Sequence, residues 1–283
     1  MTAAALPIVR TVSDLRAAVR DWRRQGLTVG FVPTMGALHD GHLSLVREAG
    51  ERADRVVASV FVNPTQFAAH EDLGTYPRQE GRDADLLASA GCHLLFAPDP
   101  AEMYPEGFAT RVEVGGPSQG LETDFRPHFF AGVAVVVAKL LNQVQADVAV
   151  FGEKDYQQLM VVRRLTRDLD IPTEIVGHPT ARDGWGLALS SRNAYLSDAE
   201  LEIARRLNGV LAEAGARART TSALEAESWA AEALIQAGFD RVDYVAIRRA
   251  DDLSPFTAAI DGPARILAAA WLGRTRLIDN LPA

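Results

Sequence analysis

The stretch VGFVPTMGALHDGHLSLVREAG, Val29–Gly50, decides the fold. Its opening residues, Val29–Val32, are an apolar run without polar alternation, the pattern of a strand buried on both faces. A turn containing Pro33 and Gly36 follows, and from Leu43 to Ala49 apolar residues recur with helical spacing until Gly50 stops them. Asp40 is the expected N-cap, which puts His42 in the first turn of the helix. At that place unpaired backbone N–H groups and the helix dipole favour an anion.

The same strand-then-helix unit recurs downstream. Strands are expected at Val56–Val62, Leu94–Phe96, Val148–Phe151 and Glu174–Val176, and helices at Arg82–Ala90 (closed by Gly91), Val133–Val144 and Tyr156–Leu169. Alternation of this kind predicts an α/β fold with a Rossmann-like, doubly wound parallel sheet. After Pro179 the pattern changes. Two polar, Ala-rich helices near Asp198–Ala214 and Ser222–Ala237 precede strand-like Val242–Ile247 and Arg265–Trp271, a segregated order that suggests a second, smaller α+β domain. The expected division is a nucleotide-binding domain over residues 1–178 and a C-terminal lid domain over 179–283.

A net charge of −8 argues against a broad nucleic-acid or anionic-membrane surface, so a phosphate ligand must meet a local basic cluster. One cysteine, Cys92, excludes an intramolecular disulfide and a Cys-rich zinc site. The longest apolar stretch, Val133–Leu141, is interrupted by Lys139 and is shorter than the roughly 20 residues a membrane span needs. Met1–Val9 lacks the basic start of a signal peptide, and a cytoplasmic location is expected.

Four motifs carry candidate chemistry. In Met35-Gly36-Ala37-Leu38-His39-Asp40-Gly41-His42, two imidazoles three residues apart stand where a strand gives way to a helix, suited to one phosphate. Taken alone, the histidine pair is more often a surface turn, and the order strand, glycine turn, histidine, helix favours the phosphate reading; zinc is the weaker rival, because a third ligand at a recognisable spacing is missing. Neither Gly-x-Gly-x-x-Gly after a strand nor a Gly-Lys-Ser/Thr loop occurs, which sets aside the usual dinucleotide and P-loop sites.

The second motif, Gly152-Glu153-Lys154-Asp155, again follows a strand, at the carboxyl end where open α/β sheets bind ligands. Lys139 and Lys154 are the only lysines among 29 basic residues, so a lysine kept in this turn supports a need for a compact ammonium, with chance survival as the other reading. Third, Leu189-Ser190-Ser191-Arg192 gathers hydroxyl, guanidinium and backbone donors suited to a polyphosphate. Fourth, Asn63-Pro64-Thr65-Gln66 follows the second strand, where Gln66 could offer an amide to a hydroxylated acid.

Taken in this order, the four motifs resemble the pantoate–β-alanine ligase family of the HxGH nucleotidyltransferase superfamily, over about Val29–Ser197 with weaker agreement through the tail. The resemblance implies an ATP-dependent ligase. Pantoate attacks the α-phosphate, pyrophosphate leaves, and β-alanine displaces AMP from the pantoyl adenylate to give pantothenate.

By position, the resemblance puts His42, His39, Lys154 and Arg192 in catalysis, with the proton-donor role on His42. It lines the ATP site with Met35 to His42, Gly152 to Asp155, Ala181 and Leu189 to Arg192. Gln66 and Gln158 hold pantoate, with Asn63 and Tyr76 nearby. It further implies Mg2+ bridging the ATP phosphates with Asp83 as a candidate ligand, and a homodimer. Nucleic acid and membrane are not among the expected partners.

The chain departs from the family pattern in three places. Arg126-Pro127-His128-Phe129-Phe130 replaces Arg-Pro-x-His-Phe; Trp185 stands for an Asp before Gly-Leu-Ala; Leu189 stands for Met, a change of similar volume. Two other readings fit the histidine pair: an adenylyltransferase for another acceptor, whose site should be basic where this chain offers Gln66 and Gln158, and a catalytically weakened nucleotide-binding protein.

Overall fold

The computed structural model describes residues 5–67, 72–74, 78–256 and 260–283. In chain order the elements are β1 (Ile8–Val9), α1 (Val12–Arg24), β2 (Val29–Thr34), α2 (Asp40–Arg52), β3 (Arg55–Val60), α3 (Glu80–Ser89), β4 (Leu94–Phe96), α4 (Pro100–Met103), α5 (Glu122–Phe125), α6 (Phe129–Val144), β5 (Val148–Gly152), α7 (Tyr156–Asp168), β6 (Glu174–His178), α8 (Asp198–Ala204), α9 (Arg206–Arg217), α10 (Ala223–Ala237), β7 (Arg241–Arg249), β8 (Ala264–Leu272) and β9 (Thr275–Pro282). Short 3-10 turns include Pro64–Gln66, Glu153–Asp155 and Ser191–Tyr195.

By its internal contacts the chain forms two compact units, one of residues 1–114, 128–153 and 161–179, the other of residues 115–127, 154–160 and 180–283. Segments 115–127 and 154–160, which lie within the 1–178 range read from the sequence, thus pack with the second unit.

Among the described residues, the first unit holds a six-stranded sheet in the order β1-β4-β3-β2-β5-β6, with every pairing parallel. Connections run outward from β2 through β3 to β4, and outward the other way from β5 to β6. The strand order therefore reverses between β2 and β5, which pair through Gly30 with Val148 and Phe31 with Ala149. In open α/β sheets, ligands bind at the carboxyl ends of strands beside this reversal. The histidine turn leaves β2 there, and the Glu153–Asp155 turn leaves β5.

Burial explains why these strands read as continuous apolar runs. Val29, Phe31, Val32, Val56, Val57 and Ala58 are all fully buried, with helices covering the sheet. Each of the Val and Phe side chains among them contributes about 1.5–3 kcal/mol relative to exposure. Gly30 is favoured by close packing, since a Cβ there would lie 3.0 Å from the Ala49 carbonyl oxygen of α2. The sequence reading missed β1, which has two residues, and α1, whose buried anchors are Leu15 and Val19 alone.

The second unit contains an antiparallel sheet β7-β8-β9 with α9 and α10 packed against it. Its core includes Leu207, Leu211, Leu234, Ile247, Ile266, Ala268 and Leu277. The helix expected over Asp198–Ala214 is two helices, α8 and α9, broken at Arg205. For α10, Ser222 and Glu225 form a capping box at the start, and Gly238, at φ +110°, closes the end in the left-handed conformation. Strand β9 escaped the sequence reading because its buried positions include Thr275, Asp279 and Asn280, which break the apolar alternation.

Candidate active site

At the end of β2, Thr34 Oγ1 donates to the Ser59 carbonyl at 2.7 Å and accepts the Gly36 N–H at 3.2 Å. Gly36 then takes φ +84° and Ala37 φ +53°, a left-handed pair that turns the backbone toward α2. Asp83 of α3, only 1% exposed, fixes this conformation. Its Oδ2 accepts the Ala37 N–H at 3.0 Å and its Oδ1 the Leu38 N–H at 2.9 Å, both charge-assisted. Asp83, expected beside magnesium, is thus engaged with the turn through both carboxylate oxygens.

The N-cap of α2 is His39, and Asp40, the cap expected from sequence, is the first helical residue. The imidazoles do the work of an Asp or Ser cap. His39 Nδ1 accepts the Gly41 N–H at 3.2 Å, and His42 Nδ1 accepts the His39 N–H at 3.4 Å. The ring centroids lie 4.1 Å apart at 45°. A ring nitrogen that accepts carries no hydrogen, so the capping bonds select the tautomer with N–H at Nε2 on both rings. Two Nε2–H donors then share a helix start with the positive end of the helix dipole, an arrangement complementary to a phosphate.

After β3, Asn63 caps the Pro64–Gln66 turn. Its Oδ1 accepts from Thr65 Oγ1 at 2.9 Å and Tyr104 Oη at 2.8 Å, while its Nδ2 donates to Gln66 Oε1 at 3.0 Å and to the Gly132 carbonyl at 3.1 Å. Gln66 Nε2 stands 3.1 Å from Met35 Sδ. Asn63 therefore orients Gln66, a buried amide beside the histidine turn. Burial pushes the Tyr104 phenol above its ordinary range, which keeps it a neutral donor to Asn63. Tyr76 lies outside the described residues.

In the second unit, Lys154 is half-buried, with Nζ 3.7 Å from Asp155 Oδ2. Gln158 is also half-buried, whereas the adjacent Gln157 is buried and structural. Gln157 Nε2 donates to the carbonyls of Pro117 and Gly120, and its Oε1 accepts the Glu122 N–H. Glu122 in turn accepts two bonds from Arg276 Nη1, at 2.7 and 2.8 Å. The sequence reading singled out Gln158 and passed over Gln157, since two adjacent amides look alike until burial separates them.

The loop carrying the third motif begins with Ala181, whose carbonyl accepts the Leu189 N–H at 2.9 Å. Ser190 caps the turn Ser191–Tyr195, its Oγ accepting the Arg192 N–H at 3.3 Å; Ser190, Ser191 and Arg192 are all half-buried. Trp185 is 71% exposed and faces Arg205, whose guanidinium carbon is 5.3 Å from its ring. Within the loop Asp183 Oδ1 accepts the N–H groups of Trp185 and Leu187, both at 2.9 Å. Those backbone bonds and Arg205 hold the Asp183 carboxyl below its usual range against the opposing effect of burial. The departure at residues 126–130 is local to the start of α6, where His128 is exposed at the N-cap and half-buried Phe129 is the first helical residue, its ring 5.0 Å from that of Phe130.

Among the described residues, no group of three or more His, Cys, Asp or Glu side chains is placed to hold a metal ion, and no helix is long and apolar enough to cross a membrane.

The motifs and the fold agree with comparisons over nearly the whole chain. Residues 7–282 match the family described as pantoate-beta-alanine ligase. The chain is 61% identical to the pantothenate synthetase of Mesorhizobium japonicum, over 97% of this chain and 96% of that one. It is 60% identical to the pantothenate synthetase of Caulobacter vibrioides, over 97% of each. Among solved structures, pantothenate synthetase from Thermus thermophilus superposes with a TM-score of 0.90 at 50% identity, covering 98% of this chain and 99% of that one. Pantoate-beta-alanine ligase from Francisella tularensis, complexed with beta-gamma ATP and beta-alanine, superposes with a TM-score of 0.81 at 34% identity, covering 98% of each chain. A strand-to-helix turn capped by two histidines, a parallel sheet that reverses beside it, and matches of this extent lead to one assignment: the chain belongs to the pantoate–β-alanine ligase family.

Proposed function

We propose that this chain condenses pantoate with β-alanine to form pantothenate, consuming ATP and releasing AMP and pyrophosphate through a pantoyl adenylate. The observation that carries the mechanism is the pair of backbone N–H groups accepted by Nδ1 of His39 and of His42 at the start of α2, from which an N–H at Nε2 of each ring follows. A pantoate carboxylate oxygen attacks the α-phosphorus, and the bond to pyrophosphate breaks. The β-alanine amine then attacks the acyl carbon, loses a proton, and expels AMP.

Charge builds on the α-phosphate during the first step. His42 and His39 meet it with hydrogen bonds, His42 also serving as the proton donor, and Lys154 meets it with an ammonium. Such donors act in the transition state more than in the ground state, which raises the rate and not merely the affinity. Arg192 and the hydroxyls of Ser190 and Ser191 bind the polyphosphate; Gln66 and Gln158 hold pantoate through neutral amides.

Magnesium enters on the ATP phosphates in this reading. The donor set supports that view, because Asp83 is committed to backbone N–H groups and lies in no acidic cluster among the described residues. A homodimer and a cytoplasmic location complete the reading; light scattering on the purified chain tests the first.

The function is tested by supplying ATP, pantoate and β-alanine and following AMP and pantothenate. AMP that needs pantoate, with pantothenate appearing once β-alanine is added, is the expected outcome. AMP without pantothenate defeats the second step, and AMP formed without pantoate defeats the first.

A further inference from the structure

Strand β9 carries two adjacent polar residues in a buried stretch, Asp279 at 3% exposure and Asn280 at 2%. Neighbours on a strand point to opposite faces, so the pair can grip two different segments at once. Asn280 Nδ2 donates to the backbone carbonyl of Lys154 at 2.8 Å, and Asn280 Oδ1 accepts from Arg265 Nε at 2.6 Å. The Arg265 guanidinium also stacks on Tyr156, 3.8 Å from its ring centroid, two residues beyond Lys154.

On the other face, Asp279 receives both arms of Arg182, at 2.7 and 2.8 Å, with Asn208 Nδ2 at 3.4 Å. Arg182 Nη1 further donates to the Gly186 carbonyl at 2.9 Å. Arg182 pairs with Ala188 across a β-bridge, immediately before Leu189-Ser190-Ser191-Arg192. One dipeptide of β9 thus ties the Lys154 turn to the loop that presents Ser190 and Arg192.

Burying a carboxylate, a guanidinium and a carboxamide costs free energy, and a well-packed apolar group of similar size is often as stable. Stability is therefore a poor reason for this pair. We infer that Asp279 and Asn280 are positioning residues for the ligase reaction, Asn280 setting the Lys154 turn and Asp279, through Arg182, setting the 189–192 loop. The inference rests on the roles of Lys154 and the loop proposed above.

Because Lys154 acts on charge that develops in the transition state, the Asn280 arm governs rate. Because the loop binds ATP before reaction, the Arg182 arm governs affinity. Asn280→Asp keeps the acceptor for Arg265 but faces the Lys154 carbonyl with a carboxylate oxygen. In single-turnover adenylate formation it lowers the rate at least about tenfold and leaves the KM for ATP within about threefold. Arg182→Lys keeps the charge but loses the fork, and raises the KM for ATP about fivefold or more with kcat within about threefold.

The discriminating readout is a cycle with Lys154→Ala. In that background Asn280→Asp changes the rate less than about twofold, since the group it positions is gone. An equal loss in both backgrounds, an unchanged rate in Asn280→Asp, or an unchanged ATP KM in Arg182→Lys overturns the inference. If Asn280→Asp does not fold, Asn280→Ser is measured in the same way; failure of both to fold makes the pair a stability element and also overturns it. A wild-type chain that forms no AMP with pantoate would instead defeat the ligase reading itself.

Discussion

Asp83 Oδ2 accepts the backbone N–H of Ala37 at 3.0 Å, and the carboxylate thereby holds a non-glycine residue at φ +53° two positions before the first histidine. Its other oxygen takes the next N–H, that of Leu38, at 2.9 Å. In Asp83→Asn an amide NH2 must face one of these donors, so only one bond survives. The turn loosens, and adenylate formation slows about tenfold while stability falls by about 2 kcal/mol. The magnesium concentration giving half-maximal rate stays where it is. A titration in which extra magnesium restores the variant would return Asp83 to the role of metal ligand.

Gly132 of α6 lies against the Asn63–Gln66 turn so closely that a Cβ would fall 2.5 Å from the Thr65 carbonyl oxygen. Backbone cannot yield cheaply at that distance. Gly132→Ala is expected to cost about 1–3 kcal/mol of stability and, by displacing Asn63 and Gln66, to raise the KM for pantoate more than that for ATP. Calorimetry and steady-state kinetics check the two halves, and an equal rise in both KM values would detach Gln66 from pantoate.

Cys92 is buried among apolar residues, and burial pushes its thiol up to about 11. The folded chain then holds the thiol proton at pH values where the unfolded chain has lost it. Stability from this group is complete below the unfolded pKa of about 8.5, and it drains as the pH rises toward the folded value, by about 3 kcal/mol over the whole window. Urea midpoints at pH 7.5 and pH 10.5 should therefore differ less in Cys92→Ala than in the wild type. The native thiol should also resist alkylation at pH 8, whereas rapid labelling without unfolding would contradict its burial.

Strands and helices that bury a continuous apolar face were legible from the sequence, as β2, β5, α6 and α7 illustrate. Elements with few apolar anchors were not. Strand β9 was hidden by Thr275, Asp279 and Asn280, polar residues that occupy buried positions because partners distant in sequence satisfy them. The histidine turn was readable, but its cap was not: a rule that expects Asp or Ser at the N-cap chose Asp40, and only the geometry shows imidazole Nδ1 doing that work. Gln66, Asn63 and Lys154 stood out by motif and Asp83 by resemblance, whereas Gln157, and the hydrogen bonds through which Asn63 and Asp83 act, are not contained in a linear reading. Trp185 was legible as a departure from the family pattern, but the Asp183 carboxylate that accepts its N–H and that of Leu187 was not.

The most direct test of the account is single-turnover formation of the pantoyl adenylate by His42→Ala, with ATP and pantoate saturating and β-alanine withheld. Losing one Nε2–H donor to the transition state predicts a rate at least about tenfold below wild type, with a folded chain and ATP still bound. An unchanged rate would contradict the account at its centre and remove the histidine pair from the chemistry.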